Sequence, residues 1–152
     1  MSKQRLNIPL EFALKGMRTA QFAFFTDEFI SKEKVEYNIS FDFKFDLQHR
    51  QTMVLLGLVY SQGKKMLCKL DTETSFEIRE SSWNAFQKTE AGRIIPRSAL
   101  AHFAHLALGS ARGILHSKTE NTALHSIILP LINVLDMIKE DVELVESMKE
   151  NL

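Results

Sequence analysis

Residues 37–48 read YNISFDFKFDLQ, and every second one is apolar: Tyr37, Ile39, Phe41, Phe43, Phe45 and Leu47 alternate with Asn38, Ser40, Asp42, Lys44, Asp46 and Gln48. Successive side chains of an extended chain point to opposite sides, so this spacing places six apolar groups on one face of a half-buried strand. Next comes TMVLLGLVY, residues 52–60, apolar on both faces with Gly57 inside. SQGK, with Gly63, then reads as a short hairpin connection into KKMLCKLDTETSFEIRE, which makes these strands antiparallel neighbours. On the other side, RTAQFAFFTDE, residues 18–28, offers another strand, with Phe22 and Phe24 on one face and Ala23 and Phe25 on the other. The strand count is four, over residues of about 17–80.

The second half changes period. Ten of the eleven phenylalanines precede residue 87, and only Phe103 follows. From Pro96, a residue suited to a first helical turn, Leu100, Phe103, Ala104, Ala107, Leu108, Ala111 and Leu115 recur at threes and fours, the mark of a helix with one buried stripe. Its expected span is about 96–113, with Gly113 as a left-handed cap. After the polar stretch HSKTENTALHS, Pro130 opens a second expected helix, about 130–150, with Leu131, Leu135, Ile138, Val142, Val145 and Met148 on one face. Asp136, Glu140, Glu143, Glu146 and Glu150 form its solvated acidic face. Residues 81–95 serve as a connector. Strands followed by helices without alternation predict α+β: a four-stranded antiparallel sheet with two C-terminal helices packed on one face.

A chain of 152 residues suffices for one domain with a sizeable core, so residues 1–152 are expected to form a single domain. Nineteen basic and nineteen acidic residues cancel, which argues against a dominant nucleic-acid surface. No segment reaches the roughly 20 apolar residues of a membrane-spanning helix, and the N-terminus lacks the pattern of a signal peptide. Cys68 has no partner for an internal disulfide, which fits a reducing compartment. The expected location is cytoplasmic.

Helix one also carries His102, His105, Gly109, Arg112 and His116 at spacings of 3, 4, 3 and 4, a polar stripe beside the apolar one. Two histidines at i and i+3 could hold a metal. A zinc site usually wants three or four ligands, however, and no carboxylate sits on this stripe, so neither metal nor cofactor is expected. Cys68 lies mid-strand in MLCKL, where a buried cysteine acts as a small hydrophobe. No G-x-S-x-G turn and no phosphate-binding glycine loop is present, so no catalytic residue is assigned.

The unusual feature is surplus apolar surface. A sheet covered on one face should be polar on the other. Here strand three is apolar throughout and strand one carries phenylalanine on both sides. The cover is a second subunit, the N-terminal segment Leu6 to Leu14, or an apolar segment of another chain lying in a groove.

In this context the order of four strands, connector, small-residue helix ending in Arg-Gly, loop and L-P-x-I-N resembles the SecB family of bacterial export chaperones. The resemblance spans about residues 17–150. It rests on Ser110-Ala111-Arg112-Gly113, on Leu129-Pro130-Leu131-Ile132-Asn133 and, more weakly, on MLCKL followed by SFEI. It implies that residues 114–129 form a crossover loop framing a groove for unfolded chains, with Ile114, Leu115, Ile127, Ile128 and Leu129, together with Phe24 and Phe25, as client-binding residues. It also implies a homodimer or homotetramer, for which small-residue helix one would supply Ala104, Ala107, Gly109 and Ala111 as contacts. The expected function is a holdase for nonnative polypeptides, serving export through a translocase motor or a dedicated toxin-antitoxin partner. The rival from another class is a small-molecule binder or enzyme using His102, His105 and Arg112.

Overall fold

The computed structural model describes residues 9–145. Four long strands form one antiparallel sheet in the order β1-β4-β3-β2: β1 Phe12–Phe24, β2 Glu36–Asp46, β3 Gln51–Gln62 and β4 Lys65–Ile78. The alternation in residues 37–48 is realised in β2. Ile39 is buried, and Phe41, Phe43, Phe45 and Leu47 are half-buried against the core, while Asn38, Ser40, Asp42 and Lys44 face out. The β3–β4 hairpin turns at Gly63, whose φ of 58° is a left-handed conformation that glycine adopts without steric cost. β1 begins six residues earlier than the expected residue 18. Phe12 pairs with Ile78, and Glu11 and Pro9 hold the Ser82 hydroxyl through the Glu11 amide at 2.7 Å and the Pro9 carbonyl at 3.2 Å.

The sheet's helix-side face carries the core. Thr52, Val54, Leu56, Leu58 and Tyr60 of β3, with Leu70, Thr72, Thr74, Phe76 and Ile78 of β4, are buried under α2, Arg97–Thr119. Ala104, Ala107 and Ala111 have no exposed surface and Ala99 almost none, so small side chains let the helix axis approach the strands. Phe103 fills the wider end, stacked on Phe76 at 4.8 Å and met edge-on by Phe12 at 5.0 Å. The opposite face of β3 is less apolar in three dimensions than in sequence. Met53 lies between Lys44 and Ser75, Leu55 between Asp42 and Glu73, and Val59 between Asn38 and Lys69, and all three are half-buried by those neighbours.

Helix α2 passes Gly113 and ends six residues later than expected. Gly113 is not left-handed; that role falls to Asn121, with φ of 62°, just after the capping Glu120. An exposed glycine inside a helix costs about 1 kcal/mol, which core packing on both sides of it outweighs.

The second expected helix, 130–150, does not form over the described residues. Only α3, Val134–Met137, is helical, and β6, Val142–Val145, pairs antiparallel with β5, Gly92–Ile95. The reason is competition for backbone oxygens. Arg112 donates to the carbonyls of Leu129 and Pro130, and Arg97 donates to those of Leu135 and Ile138. A continuous helix would need these oxygens for its own amides. The expected acidic face survives in part: Asp136, Glu140 and Glu143 are exposed, while Glu146, Met148 and Glu150 lie outside the described residues, as do Leu6 and the other residues before Pro9. The connector contains a short helix, α1, Glu80–Ala85, and β5.

Candidate functional site

Among the described residues β1 is an edge strand, so one row of its backbone groups pairs with β4 and the other row has no strand neighbour there. Its helix-side side chains are Phe12, Leu14, Met17, Thr19, Phe22 and Phe24, opposite the buried row of β4. Helix α2 covers only the ends of this row. The Phe12 ring meets His102 at 5.4 Å, and the Lys118 ammonium lies 5.2 Å from the centre of the Phe22 ring. Between these contacts Leu14 is 61% exposed and Met17 53%, and Phe24, Phe25 and Leu106 are also exposed. Leu106, Ser110 and Ile114 follow Phe103 at spacings of 3, 4 and 4, so they lie on the flank of α2 that faces β1. The result is an open apolar channel, with an unpaired strand edge along one side and Leu106 and Ile114 along the other. Two register shifts, at Leu14/Gly16 and Thr19/Gln21, interrupt that edge.

A second apolar surface lies across the helix. Arg112 stands two residues from Ile114, about 200° around the helix, and its two hydrogen bonds of 2.7 Å hold the crossover's end on that far flank. Ile128 there is 85% exposed and Leu131 96%. Leu129, between them, is buried and anchors the segment.

The residues assigned to clients therefore separate. Ile114 is half-buried beside the β1 channel, and Phe24, its ring 5.5 Å from that of Phe22, lies with Phe25 at the end of β1. Ile127 and Ile128 belong to the far surface. Leu115 and Leu129 are 6% exposed and work as core, so as placed they have no surface to offer a client. Three of the four assigned subunit contacts are corrected for the same reason: Ala104, Ala107 and Ala111 face this chain's own sheet. Gly109 alone is exposed. Helical period identifies a buried stripe; it does not say whose surface buries it. The exposed β1 residues Leu14 and Met17 are absent from the expected site, although their alternation is broken only by the register shift between Leu14 and Gly16.

The rival stripe does not converge. His102 rests against Phe12, and Arg112 spends its guanidinium on the crossover carbonyls. A cavity of about 390 Å³ lies elsewhere, lined by Leu47, Gln48, Trp83 and residues 88–93. Cys68 is buried, and burial pushes its thiol up to about 11, away from nucleophilic use at neutral pH. Among the described residues no helix is long and apolar enough to cross a membrane.

No family model matches the sequence, and no curated protein does. The architecture, an α+β fold with a four-stranded antiparallel sheet, is similar to a solved structure, the Mycobacterium tuberculosis Rv1957 SecB-like chaperone in complex with a ChAD peptide from the Rv1956 HigA1 antitoxin. The TM-score is 0.54 at 11% identity, over 80% of this chain and 88% of that one. The fold is therefore SecB-like.

Proposed function

We infer that this chain is a holding chaperone that binds extended apolar segments of nonnative polypeptides along β1, beside α2. The observation that carries the reading is the open β1 edge with Leu14 and Met17 exposed on its helix side. A client strand added there gains backbone hydrogen bonds from the edge, while every second side chain lies over Leu14, Met17, Phe22 and Phe24. Each well-buried apolar side chain contributes roughly 1.5–3 kcal/mol, and because that force has no direction, selectivity for sequence is low. The two bulges blunt the edge against uncontrolled pairing and leave short runs for a client. No covalent step and no cofactor enters. The peptide held by the SecB-like neighbour supports a polypeptide ligand. Two narrower versions are an export role with a translocase motor and service to a toxin-antitoxin partner. The lone buried Cys68 supports a cytoplasmic site of action.

The same edge also favours a homodimer or homotetramer, since a second copy of β1 is itself an extended apolar segment. One experiment separates the two. Leu14→Ser with Met17→Ser changes exposed residues and should alter stability by only about 0.5 kcal/mol each. The double variant should fold, keep its native mass, and lose about tenfold or more in the concentration that prevents aggregation of an unfolded model protein. Ile127→Ser with Ile128→Ser provides the comparison for the far surface. A fall in mass with protection intact would make the edge a subunit contact, and a wild type that never protects would end the holdase reading.

A further inference from the structure

At the C-terminal end of α2 three metal-ligating side chains meet. His116 and Glu120 stand four residues apart on one face of the helix end, with His116 Nε2 3.2 Å from Glu120 Oε1. His125 is five residues further on, yet its Nε2 lies 3.3 Å from His116 Nδ1 and the two rings are 4.9 Å apart. The fold, not the histidine contact, sets this position. Asn121 reverses the chain in its left-handed conformation, the Thr122 hydroxyl donates to the Thr119 carbonyl at 2.7 Å, and Leu124, 2% exposed, anchors the 3-10 turn Ala123–Ser126 to the core. On the helix side the buried Thr119 hydroxyl donates to the Leu115 carbonyl at 2.6 Å.

One ligand atom from each residue lies within 4.8 Å of the other two. Around a zinc ion with bonds of about 2.0–2.2 Å, tetrahedral ligand atoms stand about 3.2–3.6 Å apart. Whichever ring nitrogen His116 uses, one partner is already at that separation, and rotation of an exposed side chain brings in the other. Two imidazoles and one carboxylate suit zinc and its borderline neighbours cobalt, nickel and copper, whereas magnesium and calcium prefer all-oxygen sets. A helix ending at Gly113 would leave Glu120 off the stripe; the observed end at Thr119 puts it on the face of His116.

We propose that His116, Glu120 and His125 bind one divalent ion of the zinc class, and that the ion clamps the start of the crossover to the end of α2. Water completes the coordination. The clamp lies immediately before Ile127, so it stiffens the segment that presents Ile127 and Ile128. It stands whether or not the chain holds clients, since its readout is the metal itself.

Titration of zinc chloride into untagged protein, followed by calorimetry, should show one ion per chain with micromolar or tighter affinity. His116→Ala, Glu120→Gln and His125→Ala each change an exposed side chain, should keep the far-ultraviolet spectrum, and should weaken binding by about tenfold or more. His102→Ala and His105→Ala should leave it unchanged. Zinc should also slow amide exchange over residues 119–127. Absence of stoichiometric binding, binding indifferent to His125→Ala, or binding that occurs only with a doubling of native mass would each overturn the proposal.

Discussion

The guanidinium of Arg112 holds the carbonyl oxygen of Leu129 at 2.7 Å, with a second bond of the same length to Pro130, and so ties the far end of the crossover to the middle of α2. Charge-assisted bonds of this kind are stronger than neutral ones, but the freed carbonyls can be hydrated. Arg112→Ala should cost about 1–3 kcal/mol in urea denaturation and speed amide exchange at residues 127–131. Arg112→Lys should recover only part of the loss, because an ammonium cannot fork between two oxygens.

Gly92 tests the corrected C-terminal half. A Cβ built there would stand 1.7 Å from the Leu144 carbonyl oxygen, so the close approach of β5 and β6 requires glycine. Gly92→Ala should destabilise by about 1–3 kcal/mol, with the loss of exchange protection concentrated in residues 142–145. If residues 142–145 were helical instead, that contact would not exist and the substitution would be nearly silent.

Thr72 and Thr74 place hydroxyls beneath α2 with no hydrogen-bond partner among the described residues. Desolvating a hydroxyl without compensation costs about 1–3 kcal/mol, and valine has nearly the same shape. Thr72→Val and Thr74→Val should therefore each raise the melting temperature. An unchanged or lower value would mean that each hydroxyl has a partner in solution.

Alkaline pH should weaken the fold. Burial raises the Cys68 thiol from 9.0 to about 11. Burial, with the Cys68 charge adding and Arg112 opposing, raises Tyr60 from 10.0 to about 12. Both groups hold their protons more tightly when folded, so the unfolded chain binds fewer protons between these values and stability falls as pH rises. The contribution is complete below about pH 9 and is lost between about pH 9 and 12, on the order of 1–3 kcal/mol for each group. Urea midpoints at about pH 8 and pH 10.5 measure it, and Cys68→Ala should flatten the lower part of the decline.

What the sequence by itself determined was the sheet. The alternation of Tyr37 to Leu47 and the turn at Gly63 are local, because a strand's side-chain period and a left-handed glycine depend on neighbouring residues alone. The buried stripe of α2 was legible for the same reason. Only the tertiary structure decided what buries Ala104, Ala107 and Ala111, since a periodic apolar face looks the same against its own sheet as against a second chain. It also decided the fate of residues 129–145. Their spacing fits a helix, but Arg97 and Arg112, at least fifteen positions away in sequence, take the oxygens that helix would use, and Gly92 offers β6 a strand to pair with. His125 came to His116 in the same way, through a chain reversal at Asn121 that spacing along one helix cannot show.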